Sequence, residues 1–183
     1  DPDPWFREKA LEAIEKWAAS KDLAVIEKLS KSRENSRRLL AARIAIRADG
    51  AGRAILETLS SDGEANIRLA AWKARISIDE NSIAEALIVD DRAVRRAVAE
   101  RVSTLENVDS RIILQLLNDD SETVRASAIG IIEADSATLD EEIENRLNEL
   151  ITKSSGELKA RIASILLASS QNQIDSWIED SNT

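Results

Sequence analysis

The segment Ile26–Asp49, IEKLSKSRENSRRLLAARIAIRAD, and the segment Leu56–Asp79, LETLSSDGEANIRLAAWKARISID, align without a gap at a shift of 30 residues, Ile26 falling on Leu56. Leu29 then falls on Leu59, Ser30 on Ser60, Arg38 on Arg68, Leu39 on Leu69, Ala41 on Ala71, Ile46 on Ile76 and Asp49 on Asp79. Further along, Leu87–Ala97 (LIVDDRAVRRA) aligns with Leu117–Ser127 (LNDDSETVRAS) at the same shift, so Asp90 meets Asp120, Val94 meets Val124 and Arg95 meets Arg125. A weaker fifth copy is Leu150–Ala163, LITKSSGELKARIA, with Leu158-Lys159 where Val124-Arg125 stood. A unit that recurs at a fixed period is the sequence mark of a stacked array.

Each unit reads as two helices. The first, A, is short and ends on a leucine pair, as in Ile113, Leu116 and Leu117. A polar turn follows, for example Asp119-Asp120-Ser121-Glu122. Such residues accept bonds from the free N–H groups of the next helix, so Asp120 or Ser121 is the expected N-cap of the fourth B helix. Helix B carries apolar residues at helical spacing: Val124, Ala128, Ile131 and Ile132 in the fourth unit, Val94, Val98 and Val102 in the third. That period is helical, not the alternation of a strand. Ala71, Ala97 and Ala128, in the middle of B helices, allow close packing of neighbours.

So short a helix pair cannot bury its apolar faces alone, whereas stacked pairs can. The expectation is an all-α fold, an α/α superhelical solenoid of about five helix pairs closed by capping helices. One array over residues 1–183 has repeats at 23–49, 51–79, 80–103, 108–135 and 138–168. Residues 4–20 form an opening helix, with Trp5, Phe6, Leu11, Ile14 and Trp17 toward the array and Pro4 in the first turn. Residues 171–180, with Ile174, Trp177 and Ile178, form a closing helix, and Ser181–Thr183 a frayed tail.

A-helix leucines, an Asp turn and Val-Arg followed by small apolar residues resemble HEAT repeats. The period is closer to the short HEAT-like repeats of the bilin-lyase type than to longer HEAT units. The resemblance covers residues 23–168, and is clearest in the third and fourth units. It implies a right-handed superhelix with B helices lining the inner surface. It implies no particular reaction, because fold does not fix function.

Composition excludes several function classes. The chain has no His and no Cys, so a Ser–His–Asp or Cys–His centre is impossible and the commonest metal ligands are missing. No Gly-rich phosphate loop is present, and Asp119-Asp120-Ser121 lacks the alternating ligands and Gly of a calcium loop. No catalytic residue, cofactor or metal is therefore expected. No apolar run approaches the roughly 20 residues that span a bilayer. The net charge of −9 disfavours a nucleic-acid partner. The first residue is Asp and Met is absent, so the sequence reads as a processed or excised product, with cytoplasmic and exported locations both open.

Two sets of residues stand out. In the resemblance, the B-helix arginines Arg68, Arg95 and Arg125 tie adjacent repeats together through the turn acids Asp62, Asp90 and Asp120, with Lys159 as the last member. The other set is a basic B-helix surface. Residues 35–48 hold Arg37, Arg38, Arg43 and Arg47 and no acid, and residues 92–101 hold Arg92, Arg95, Arg96 and Arg101 against Glu100. Acids collect instead at Asp140, Glu141, Glu142, Glu144 and Glu149. Arg43, Arg47, Lys73 and Arg96 mark a surface for an acidic peptide or protein, and Trp72, the one Trp inside the array, reads first as core and alternatively as an anchor on that surface. The bland alternative is a solvated helix face: Arg43 and Lys73 are equivalent, but the next member of that column is Glu100. The expected function is a non-catalytic protein-interaction scaffold. The alternatives are a nucleic-acid-binding HEAT-like protein and a bilin-lyase-like chromophore chaperone.

Overall fold

The computed structural model describes residues 3–17, 22–105, 107–134 and 139–180, except the side chains of Arg7, Asp49 and residues 172–180. Eleven α-helices are found among the described residues, and no strand. They are α1 (Pro4–Trp17), α2 (Leu23–Ser30), α3 (Asn35–Ile44), α4 (Asp49–Leu59), α5 (Ala65–Ile78), α6 (Asn81–Leu87), α7 (Arg92–Val102), α8 (Ser110–Leu117), α9 (Glu122–Ala134), α10 (Glu141–Lys153) and α11 (Gly156–Asp180). A 3-10 turn, Ala45–Ala48, joins α3 to α4.

The helices pack as two compact units, residues 1–98 and 99–183. In the first unit α2 pairs with α3 and α4 with α5, and α6 packs on α5. The A helix α2 lies beside the A helix α4, the B helix α3 beside the B helix α5, and α1 against α3. The second unit repeats the plan. Here α8 pairs with α9 and α10 with α11, α10 lies beside α8, and α11 beside α9. Within each unit, A helix beside A helix and B helix beside B helix, as in α2 with α4, α3 with α5, α8 with α10 and α9 with α11, is the layering expected from the period.

The core follows the apolar stripes. Ile26, Leu56 and Leu59 from A helices meet Leu40, Ala41, Ile44, Ile67 and Ala71 from B helices, all buried. In the second unit Ile113, Leu116 and Leu117 meet Val124, Ala128 and Ile132, with Leu147 and Ile162 beyond. Fully burying one such side chain contributes about 1.5–3 kcal/mol. Where the B helix α3 turns into the A helix α4, backbones come close enough to need Gly52, where a Cβ would stand 1.9 Å from the Ala45 carbonyl oxygen. Between the A helix α10 and the B helix α11, Gly156 opens α11 with φ +56, the left-handed region that favours glycine.

Two expectations are corrected. Trp5, Phe6 and Trp17 do not face the array: all three are exposed, and Trp5 and Phe6 pack edge to face on each other. Only Leu11 and Ile14 of α1 join the core. Their place, three residues apart, defines one narrow face, and the aromatics fall off it. Next, no break separates the last repeat from a closing helix, because α11 runs unbroken from Gly156 to Asp180. Of the two N-cap candidates for the fourth B helix, Ser121 immediately precedes α9, and its hydroxyl pairs with that of Thr123. The side chains of Ile174, Trp177 and Ile178, the residues 18–20 of the opening helix, and Ser181–Thr183 lie outside the described residues.

Candidate partner-binding surface

The turn before four of the B helices, α3, α5, α7 and α9, is clasped by one arginine. Arg38, Arg68, Arg95 and Arg125 each donate to the carbonyl six residues earlier: Ser32 at 2.9 Å, Asp62 at 2.8 Å, Val89 at 2.8 Å and Asp119 at 2.7 Å. The guanidinium folds back over its own turn because its planar fork can serve several acceptors at once.

The same arginine then reaches forward. Arg38 grips Asp62 of the next turn with Nε at 2.7 Å and Nη2 at 3.1 Å. This fork-to-carboxylate pair is 17% and 9% exposed on its two sides. It holds the Asp62 carboxyl below the usual carboxylate range, chiefly through the Arg38 hydrogen bond. Arg68 reaches Asp91, at 3.2 and 3.4 Å to one oxygen. The acid in this rung is thus Asp91, whereas Asp90, expected there, stands exposed beside it. The shift has a local cause. Turns one, two and four put their accepting side chain six residues before the arginine, at Ser32, Asp62 and Asp119, where each takes the N–H two residues on. In the third turn that position is Val89, and Asp91, immediately before α7, caps the Ala93 N–H instead. Arg38 belongs to the ladder as its first member. Its alignment with Arg68 was the signal that could have found it.

Asp120 is exposed, and its carbonyl, not its carboxylate, takes the second Arg125 bond at 2.9 Å. Beyond Arg125 the next turn reads Lys153-Ser154-Ser155 and offers no acid, and the buried Arg125 Nε has no partner among the described residues. Lys159 is exposed. There α9 and α11 are joined instead by Arg161 and Glu133, with Nε at 2.9 Å and Nη2 at 2.6 Å. Their hydrogen bond lowers the Glu133 carboxyl pKa.

The basic surface is divided by the structure. Between α3 and α5 a groove of ≈ 690 Å³ is lined by Leu39, Ala42, Leu69 and Ala70, with Arg43 and Lys73 at its edge. Both cations are exposed, and the 30-residue repeat sets them side by side on neighbouring B helices. The sequence did not reveal Glu15, which also lines this groove and pairs with Arg43 at 3.3 Å. Arg47 donates to the Glu15 carbonyl, satisfying one of the free carbonyls in the last turn of α1. Arg96 is exposed on α7 and is not among the residues lining the groove. Trp72 turns inward: it is 6% exposed, and the Arg75 guanidinium lies 4.1 Å from its ring centre. Arg75 also pairs with Glu85 and donates to Ser60, so this cluster ties α5 to α4 and α6. Among the described residues no group of His, Cys, Asp or Glu is placed to hold a metal ion, and no helix is long and apolar enough to cross a membrane.

In class this is an all-α helical-repeat protein. No protein-family model matches the chain, and no curated protein matches it. The crystal structure of YibA from Escherichia coli is similar to it, with a TM-score of 0.67 and 16% sequence identity, over 98% of this chain and 71% of that one. At that identity the likeness shows the fold alone.

Proposed function

We propose that this chain is a non-catalytic protein-interaction scaffold of the HEAT-like kind, and that the α3–α5 groove holds an acidic segment of a partner protein. The observation that carries this is the pairing of an apolar floor, Leu39, Ala42, Leu69 and Ala70, with two exposed cations at its edge, Arg43 and Lys73. An aliphatic side chain of the partner would fill the floor, and an adjacent carboxylate would meet Arg43 or Lys73. The Arg43–Glu15 pair is no barrier, since exposed ion pairs contribute at most about 1 kcal/mol and exchange readily. A composition without His or Cys supports the non-catalytic reading.

Selection of peptides from a random display library on the immobilised chain tests this. The expected consensus has Asp or Glu next to Leu, Ile or Val, and Arg43→Glu/Lys73→Glu lowers its affinity tenfold or more. A consensus without acids, or equal affinity in the double variant, would refute the groove reading. Capture of nucleic acid, with binding that falls steeply as salt rises, would replace it by the nucleic-acid alternative.

A further inference from the structure

A second concavity lies on the other side of α1 and owes nothing to the basic groove. It has a volume of ≈ 380 Å³ and is walled by Ala13 and Trp17 of α1 and Val25 of α2, with Ile26 and Ile44 beneath. Ile26 and Ile44 are core residues, whereas Trp17 is 76% and Val25 48% exposed. The apolar surface continues up α1. Phe6, Ala10, Ala13 and Trp17, at helical spacing, are all exposed and form one stripe.

The layer order explains why the surface is open. The B helix α3 has a B-layer neighbour on each side, α5 and α1. By this contact α1 stands where the B helix of a preceding repeat would stand. In the A layer, α2 lies beside α4. The opposite face of α2, with Val25, is the place that the A helix paired with α1 would cover, as α2 itself pairs with α3. The concavity lies between α1 and α2, where that A helix would pack.

We propose that this slot is a docking site for an amphipathic helix of the A type, supplied by a binding partner and packed antiparallel to α1 as the A member of a further repeat. The occupant's chemistry follows from continuity with the A layer. The A helices of this chain present aliphatic residues at i, i+3 and i+4, as in Ile113, Leu116 and Leu117 or Ile83, Ala86 and Leu87, and these are the residues they bury. A helix with that pattern would cover Val25 and Trp17 as the chain's own A helices are covered. Among the described residues the slot has a single polar side chain, Asp22, at its rim, so apolar shape selects the ligand.

The test is fluorescence anisotropy with a labelled, lactam-bridged helical peptide of residues 109–118, DSRIILQLLN, against the full chain. Saturable micromolar binding is expected, with a tenfold or greater loss in Val25→Glu and in Ala13→Glu. Both positions are exposed, so both variants keep the fold, which circular dichroism checks. The Arg43→Glu/Lys73→Glu variant binds this peptide unchanged, which separates the slot from the groove. A peptide of the same composition with its aliphatics dispersed does not bind. Absence of saturable binding, or equal affinity in Val25→Glu, would overturn the proposal. So would a peptide-free dimer in sedimentation that Val25→Glu abolishes, since the occupant would then be a second copy.

Discussion

Replacing Asp62 with Ala is expected to destabilise the unit of residues 1–98 by about 2–3 kcal/mol, from the interactions it removes. The carboxylate accepts two bonds from Arg38, at 2.7 and 3.1 Å, and a third from the Glu64 N–H at 2.9 Å. A hydrogen bond to a charged group contributes roughly 1.5–3 kcal/mol, and removing one partner of a buried pair costs roughly 3–5 kcal/mol. The loss falls at the lower end because Arg38 keeps the Ser32 and Arg33 carbonyls and the Asn35 side chain as acceptors. In a chain of 183 residues this lowers the melting temperature by roughly 5–10 °C. Asp62→Asn retains an oxygen for the Glu64 N–H and is expected to cost about half as much. The assay is urea unfolding followed by far-ultraviolet circular dichroism, extended to a mutant cycle with Arg38→Met. The second substitution then costs far less in the Asp62→Ala background than in the wild type. Arg111→Ala is the control. Its partner Asp109 is only two residues away and both are exposed, so the midpoint stays unchanged. A cost for Asp62→Ala under about 0.5 kcal/mol, or additive effects of the two substitutions, would refute the inter-repeat tie.

Acidification offers a second check. The folded-state pKa values of Asp62 and Glu133 lie below their ordinary values, through Arg38 and Arg161. Their stabilisation is therefore complete above the ordinary carboxylate range, about 4, and is lost as pH falls through the folded values. Asp62→Asn flattens the acid limb of a stability–pH curve, and an unaltered limb would contradict this. Gly50→Ala and Gly52→Ala, two residues apart in α4, are expected to act in opposite directions. Gly50 has nothing within 4 Å of its missing Cβ, so Ala stabilises by about 0.5 kcal/mol. At Gly52 the clash with the Ala45 carbonyl outweighs that gain by about 2 kcal/mol, read from the same urea curves.

What lies along one helix was legible in the sequence. The repeat, the helix pairs and the apolar faces of A and B helices all rest on spacing within a few residues, where the 3.6-residue period places side chains directly. The equivalence of Arg43 and Lys73, now neighbours on one groove, belongs here too. Contacts between helices were decided by tertiary structure. A one-residue change in a turn rotates a side chain by about 100° around the helix axis. In the third turn Val89 replaces the capping side chain, so the rung acid is Asp91 and not Asp90, and the absence of an acid before Ser155 leaves Arg125 without a forward carboxylate partner among the described residues. Rotational setting also turned Trp5, Phe6 and Trp17 out of the core. It brought Glu15 to Arg43 across 28 residues of sequence, a meeting that no local period encodes. Hydrophobic spacing specifies which face of a helix is buried, and only the packing of one helix against the next specifies what that face meets.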